Sequence, residues 1–277
     1  MDIEKVLDKV NEVLPPQPCV RFTVEKCKTG LFDCKIGGTP YFPKDMEYPK
    51  GKQNIFADKP LVLLAQLNFE KLPQIADFPT KGILQFYIAP DDLYGMSADF
   101  GPQMADQNNF RVIYHENIIL DESKLMSSED MPVYTEDEGF YMPFTGEYKL
   151  IARSTDPMFA TLDDYRFNDT FIDCYNEVND KKINSVWDVL DGVKLAERNG
   201  TYDAFIGGYP VFTQYDPRGG DNFTDCNVVL FELDSVYRPN DDIDIMWGDM
   251  GTGTFLIPAE KLKALDFSRV LYNYDCC

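Results

Sequence analysis

Apolar residues at the start of the chain recur at helical spacing: Ile3, Val6, Leu7, Val10 and Val13 share a face, and Pro15-Pro16 breaks the pattern. This predicts an amphipathic helix over 1–14 that lays one side on a sheet. The rhythm then changes to short apolar runs. Cys19–Val24 reads as a strand, and Leu61–Phe69 (LVLLAQLNF) is nearly continuous, as expected of a strand covered on both faces. Gly82–Ile88 and Phe110–Tyr114 continue the β character. Helical patterning returns in the middle, weakly over Asp156–Tyr175 and more clearly over Ser185–Arg198. There Val186, Trp187, Val189, Leu190 and Val193 line a face between a Ser185 cap and a Gly200 stop.

Several strings occur twice. Ile36-Gly37-Gly38-Thr39-Pro40-Tyr41-Phe42 returns as Ile206-Gly207-Gly208-Tyr209-Pro210-Val211-Phe212, and Ala65–Asn68 as Phe231–Asp234. Phe86–Ile88 returns as Phe255–Ile257, and Arg111–Tyr114 as Arg269–Tyr272. Four blocks in one order at nearly constant separation point to duplication. The expected architecture is α+β: duplicated β-rich modules forming pseudo-symmetric sheets, with an N-terminal helix and central helices. One compact unit spans 1–277. Repeat 1 covers about 17–120 and repeat 2 about 140–277 with a helical insertion at 156–198; the polar, acidic stretch 121–150 is the seam.

The series GGTPYFP, LAQLNFEKLP, GILQFYIAPDD, GGYPVFTQYDPR, IMWGDMGTGTFLIP and DFSRVLYNYDC resembles, in order and through most of the chain, the YwqG-like family of bacterial proteins. The resemblance implies a duplicated α+β fold and an uncharacterised function, and it carries over no catalytic residues.

Charge narrows the partners. Lys and Arg total 26 against 47 Asp and Glu, a net charge of −21. Such a surface repels nucleic-acid phosphates and anionic lipid headgroups and suits a basic protein. Seven cysteines are scattered without a Cys-x-x-Cys pair, Cys276 and Cys277 being adjacent, and His115 is the lone histidine. Neither a disulfide framework nor a zinc site is expected. The first residues are acidic where an export signal would be basic, which points to the cytoplasm.

Candidate chemistry gathers in the second half. In Gly207–Gly220 the amide of Gln214, the carboxylate of Asp216 and the planar fork of Arg218 offer donors and acceptors along a turn-rich segment. The competing reading makes Asp216-Pro217-Arg218-Gly219 a surface turn closed by an Asp–Arg ion pair. The stretch Ile245–Gly253 sets Trp247 and Asp249 among three glycines, but it lacks the lysine and following helix of a phosphate loop, so a glycine-rich hairpin with Trp247 in the core competes there too. Asp241, Asp242 and Asp244 lack the alternation of a calcium loop, and His115 has no recognised nucleophile beside it. No cofactor or metal is implied.

Three functions remain. The preferred one is a non-catalytic binding protein with a basic protein partner, immunity-like in kind. The alternatives are an enzyme using Asp216 or Asp249 as acid or base with Arg218 holding an anionic substrate, and a small-ligand sensor whose pocket walls are Gly207–Arg218 and Trp247–Gly253.

Overall fold

A computed structural model describes residues 3–132, 134, 140–190, 192–220 and 222–277. Most of the acidic string Thr135–Phe140, part of the expected seam, lies outside the described residues, as do Met1 and Asp2. The helices among the described residues are α1 (Ile3–Val13), α2 (Phe167–Val178), α3 (Gly192–Glu197) and α4 (Ala259–Lys263). The strands are β1 (Cys19–Lys26), β2 (Lys35–Gly37), β3 (Val62–Asn68), β4 (Ile83–Ile88), β5 (Phe110–His115) and β6 (Glu147–Ser154), followed by β7 (Ala204–Gly207), β8 (Val228–Asp234), β9 (Val236–Arg238), β10 (Ile243–Ile245), β11 (Thr252–Ile257) and β12 (Leu271–Asp275). The molecule is mostly β.

Ten strands form one antiparallel sheet in the order β12-β11-β8-β7-β1-β6-β2-β3-β4-β5, while β9 and β10 make a separate ribbon. The sheet curls so that its two ends face each other. Phe86 of β4 stacks on Phe231 of β8 with ring centroids 5.1 Å apart, and Phe110 of β5 lies 5.2 Å from Tyr272 of β12. This shared inner face is the largest apolar cluster, contributed by strands from both ends of the sheet order. Burial of so much aromatic and aliphatic area is the main force holding the curl closed. Outside, α1 and α2 cover the strands from β1 to β12: Val6, Leu7 and Val10 pack with Phe167 and Phe171 over Phe205, Val229 and Leu256. The outer face at the other end is covered by loops through Phe42 and Phe56. The near-continuous apolar run of β3 follows from this, since Leu64 and Leu67 face the inner cluster while Leu63 faces the loops.

Two sheet positions share one geometry. Gly37, at the end of β2, pairs with Glu147 at the start of β6, and Gly207, at the end of β7, pairs with Cys19 at the start of β1. Both glycines and their successors have positive φ: 65° and 71° at Gly37-Gly38, 70° and 69° at Gly207-Gly208. The polar residue inside each neighbouring strand closes the turn that follows. Gln66 accepts the Tyr41 backbone N–H at 2.9 Å through Oε1, and Glu232 accepts that of Val211 at 3.2 Å. A buried side chain that would otherwise cost on the order of 1–3 kcal/mol is thus satisfied by the backbone.

The helices depart from the expected boundaries. Residues 156–161 carry no helix, with Met158 bridging to Gln17, and 162–166 turn, so α2 begins only at Phe167; Thr161, Asp163 and Asp164 bond locally and cap turns instead of continuing a helix. Ser185–Arg198 is broken as well. Ser185 caps a single 3-10 turn over Val186–Asp188, and a separate short α3 starts at Gly192. Trp187, expected on the buried face, is 69% exposed. Along α1 the buried face ends at Leu14, and Val13 is exposed.

Candidate functional site

Two tripeptides fold alike. In Asp164-Tyr165-Arg166 the Oδ1 of Asp164 accepts from Arg166 N at 3.0 Å and Nε at 2.7 Å. In Asp216-Pro217-Arg218 the Oδ1 of Asp216 accepts from Arg218 N at 2.9 Å and Nε at 2.9 Å. The two turns meet, with Arg218 Nη2 also donating to Asp164 Oδ2 at 3.1 Å and Tyr165 N donating to Asp216 Oδ2 at 3.1 Å. Arg218 is 1% exposed. Burial opposes its charge, but the hydrogen bonds and charge of Asp216, with Asp164 behind, outweigh it and raise its pKa. For Asp164, burial favours the neutral acid; the hydrogen bonds of Arg166 and the charge of Arg218 overcome that and hold it below the ordinary carboxylate value. This is an internally neutralised network of two acids and two guanidinia. The Asp–Arg ion pair foreseen for the turn is present, but its side chains are enclosed instead of lying on the surface.

Gln214 and Asp249 belong to a neighbouring arrangement. Gln214 N donates to Asp275 Oδ2 at 2.8 Å and its Nε2 to the Cys276 carbonyl, while Cys277 N donates to the Asp249 carbonyl at 3.2 Å. The final residues described thus tie the two glycine-flanked segments together. Trp247 is fully buried between Tyr94 and Tyr274, with ring centroids 5.3 and 5.7 Å away. Its ring also sits against Gly253, where any Cβ would collide with it. Of the five candidates, Asp216 and Arg218 meet directly, Gln214 joins Asp249 through residues 275–277, and Trp247 packs beneath that loop.

Asp216 contributes to the wall of an open cavity of about 280 Å³, with Phe100, Met104, Tyr215, Pro217 and Phe223. Phe100 and Tyr215 stand at its mouth, 67% and 57% exposed. Arg218 does not line it. The cavity can hold an apolar or aromatic group, and the described residues that line it include no cation with which to grip an anion.

A sequence model of one family matches residues 34–276, described as a domain of unknown function (DUF1963). The chain belongs to the DUF1963 family. No curated protein matches the chain. The DUF1963 region takes in nine of the ten strands of the large sheet, yet β1, which lies before it, sits in the sheet interior between β7 and β6.

Elsewhere in the DUF1963 region, His115 is buried with Nε2 2.9 Å from Gln85 Oε1 and its ring edge-on to Tyr41. Burial pushes its pKa down to about 4, so it is neutral and only a weak base at neutral pH, with Gln85 as its hydrogen-bond partner. Asp242 pairs with Lys26 and Asp241 with Arg238. Among the described residues, no three His, Cys, Asp or Glu side chains are placed to hold a metal ion, and no helix is long and apolar enough to cross a membrane. Sequence reasoning missed Asp164 and Arg166, although the recurring Asp-x-Arg tripeptide was the signal that could have found them.

Proposed function

We propose that this DUF1963 chain is a non-catalytic binding protein whose acidic surface receives a basic protein partner. The observation that carries the reading is the excess of 47 acids over 26 Lys and Arg, which burial leaves almost intact at the surface. Among the described residues Arg21, Lys35 and Arg218 are buried, as are the acids Asp164, Asp203, Glu232 and Asp275, and Arg166, Arg238 and Arg269 are each paired with one acid, so neither burial nor pairing removes the excess of carboxylates. The acid excess of a −21 chain therefore falls on the outside, where it steers a cationic surface inward and rejects anionic ones. The alternative enzyme reading loses its substrate clamp, because the Arg218 fork is already filled by Asp216 and Asp164. A cytoplasmic setting, with the seven cysteines kept as free thiols, and an immunity-like role belong to the same proposal.

The YwqG-like resemblance and the internal duplication are part of it. In the duplication reading, β1 to β5 correspond to β6, β7, β8, β11 and β12, and the first strands are exchanged, with β6 beside β2 and β1 beside β7. The matched Gly-Gly turns and the matched Gln66 and Glu232 bonds support it.

The test is capture of partners by the tagged protein, followed by association kinetics with the purified partner over a range of salt. A basic partner whose on-rate falls steeply with salt, by tenfold or more over about a decade of ionic strength, is expected. A partner bound with no salt dependence, or recovery of a small metabolite alone, would refute the reading. The cavity between Phe100 and Tyr215 favours the sensor as second reading, recognisable by saturable thermal stabilisation with an apolar ligand that Tyr215→Ala removes.

A further inference from the structure

Among the described residues, two cations placed to meet an anion lie at the other end of the sheet. Beside the edge strand β5 opens a cavity of about 340 Å³ lined by Tyr48, Lys50, Lys52, Asp58, Arg111 and Ile113, with Glu47 on its rim. Arg111 projects from β5 opposite Tyr87. Its Nε is enclosed and has no hydrogen-bond partner among the described residues, and Nη2 reaches the Lys50 carbonyl only at 3.5 Å. Among the described residues, neither Arg111 nor Lys52 forms an ion pair, while Glu47 is taken by Lys50 at 3.4 Å. Burial lowers the pKa of Arg111, and burial followed by the Arg111 charge lowers that of Lys52. Two cations thus share a recess in which Asp58 lines the wall and the Asp106 charge acts on Lys52, neither acid forming an ion pair with them among the described residues, in a chain where acids outnumber cations 47 to 26. Their mutual repulsion and unmet donors are relieved when one oxyanion enters.

We propose that this cavity binds a small oxyanion, a phosphate or a carboxylate group, gripped by the Arg111 fork and the Lys52 ammonium. Tyr48 and Ile113 give the remainder of the ligand an apolar wall. Asp58 lines the same cavity and opposes the anion, so it sets the affinity downward. The site is independent of the acidic-surface reading, differing from it in charge and in position.

The experiment is calorimetric titration of the intact protein with sodium phosphate and, separately, sodium acetate, at neutral pH and constant ionic strength held with chloride. Saturable one-site binding is expected. Arg111→Gln should weaken it by about tenfold or more, as loss of a charged fork implies, Lys52→Gln by less, and Asp58→Asn should tighten it. Arg153→Gln, an exposed arginine outside the cavity that bonds Thr23, should change nothing. Lys52 is exposed, so Lys52→Gln decides the matter if Arg111→Gln fails to fold. Binding of phosphate alone assigns a dianion and binding of acetate as well assigns a carboxylate. Absence of saturable binding to both, or equal binding by wild type, Arg111→Gln and Lys52→Gln, overturns the site.

Discussion

Single residues in this molecule are held by charge more than by shape at two places, and both give sharp expectations. Removing the Arg218 guanidinium leaves Asp164 with Arg166 but strands Asp216 in an enclosed position. Arg218→Met should therefore cost about 3–5 kcal/mol in denaturant unfolding, and Asp216→Asn in the same chain should recover part of it. A loss under about 1 kcal/mol would show that water reaches the pair. Asp234 behaves in the opposite sense. Its Oδ1 is enclosed without a hydrogen-bond partner, and burial first, with Asp203 next, raises its pKa from 3.8 to about 7. The folded state then binds this proton more tightly than the unfolded chain, so stability is lost as pH rises from about 4 through about 7. Asp234→Asn should raise Tm more at pH 8 than at pH 4, read by calorimetry; an equal gain at both would remove the titration argument.

At the scale of elements, the close pairs Gly37–Glu147 and Gly207–Cys19 decide how the inner strands join. A Cβ at Gly207 would lie 2.2 Å from the Pro18 carbonyl oxygen, and at Gly37 2.7 Å from that of Gly146. Gly200 also has positive φ, 68°, but a Cβ there meets nothing within 4 Å. Gly200→Ala should cost only the left-handed backbone penalty, about 1–2 kcal/mol, while Gly207→Ala should cost more because β1 must move away from β7. Equal losses in urea unfolding would place the strain in φ alone. The strands were legible because each is a short apolar or alternating run with turns at both ends, and the Ile-Gly-Gly repeat was visible as a string. The helices were read too long for a definable reason: the weak helical patterning over Asp156–Tyr175 runs through a segment whose Thr and Asp side chains bond their own turns. The candidate site was legible in part. Asp216 and Arg218 were paired correctly by proximity in sequence, but their burial and the approach of Asp164 and Arg166 depend on a contact more than fifty residues distant. Arg111 and Lys52 meet across the same kind of gap, which no local pattern can show.

For the whole molecule, strand order makes the two halves mutually dependent. β1 comes from the first segment of the chain yet pairs with β7 over Cys19–Phe22 and with β6 over Arg21–Lys26, filling the middle of the sheet. Without it, β6 and β7 would each present an unpaired edge, and apolar residues of both would face water. A fragment of residues 140–277 has every strand from β6 to β12 but lacks this one, so it should be insoluble or aggregate when expressed alone. Co-expression with residues 1–139 should restore a soluble complex, because β1 then enters between β6 and β7 and the inner faces of both halves regain their cover. Size-exclusion chromatography with hydrogen exchange on Ile206 and Ile151, whose amides face β1, reads the outcome: protection only in the complex supports the exchanged first strands. A fragment 140–277 that folds by itself with both strands protected would mean that each half closes its own sheet, and the reading of one interdependent unit would fall.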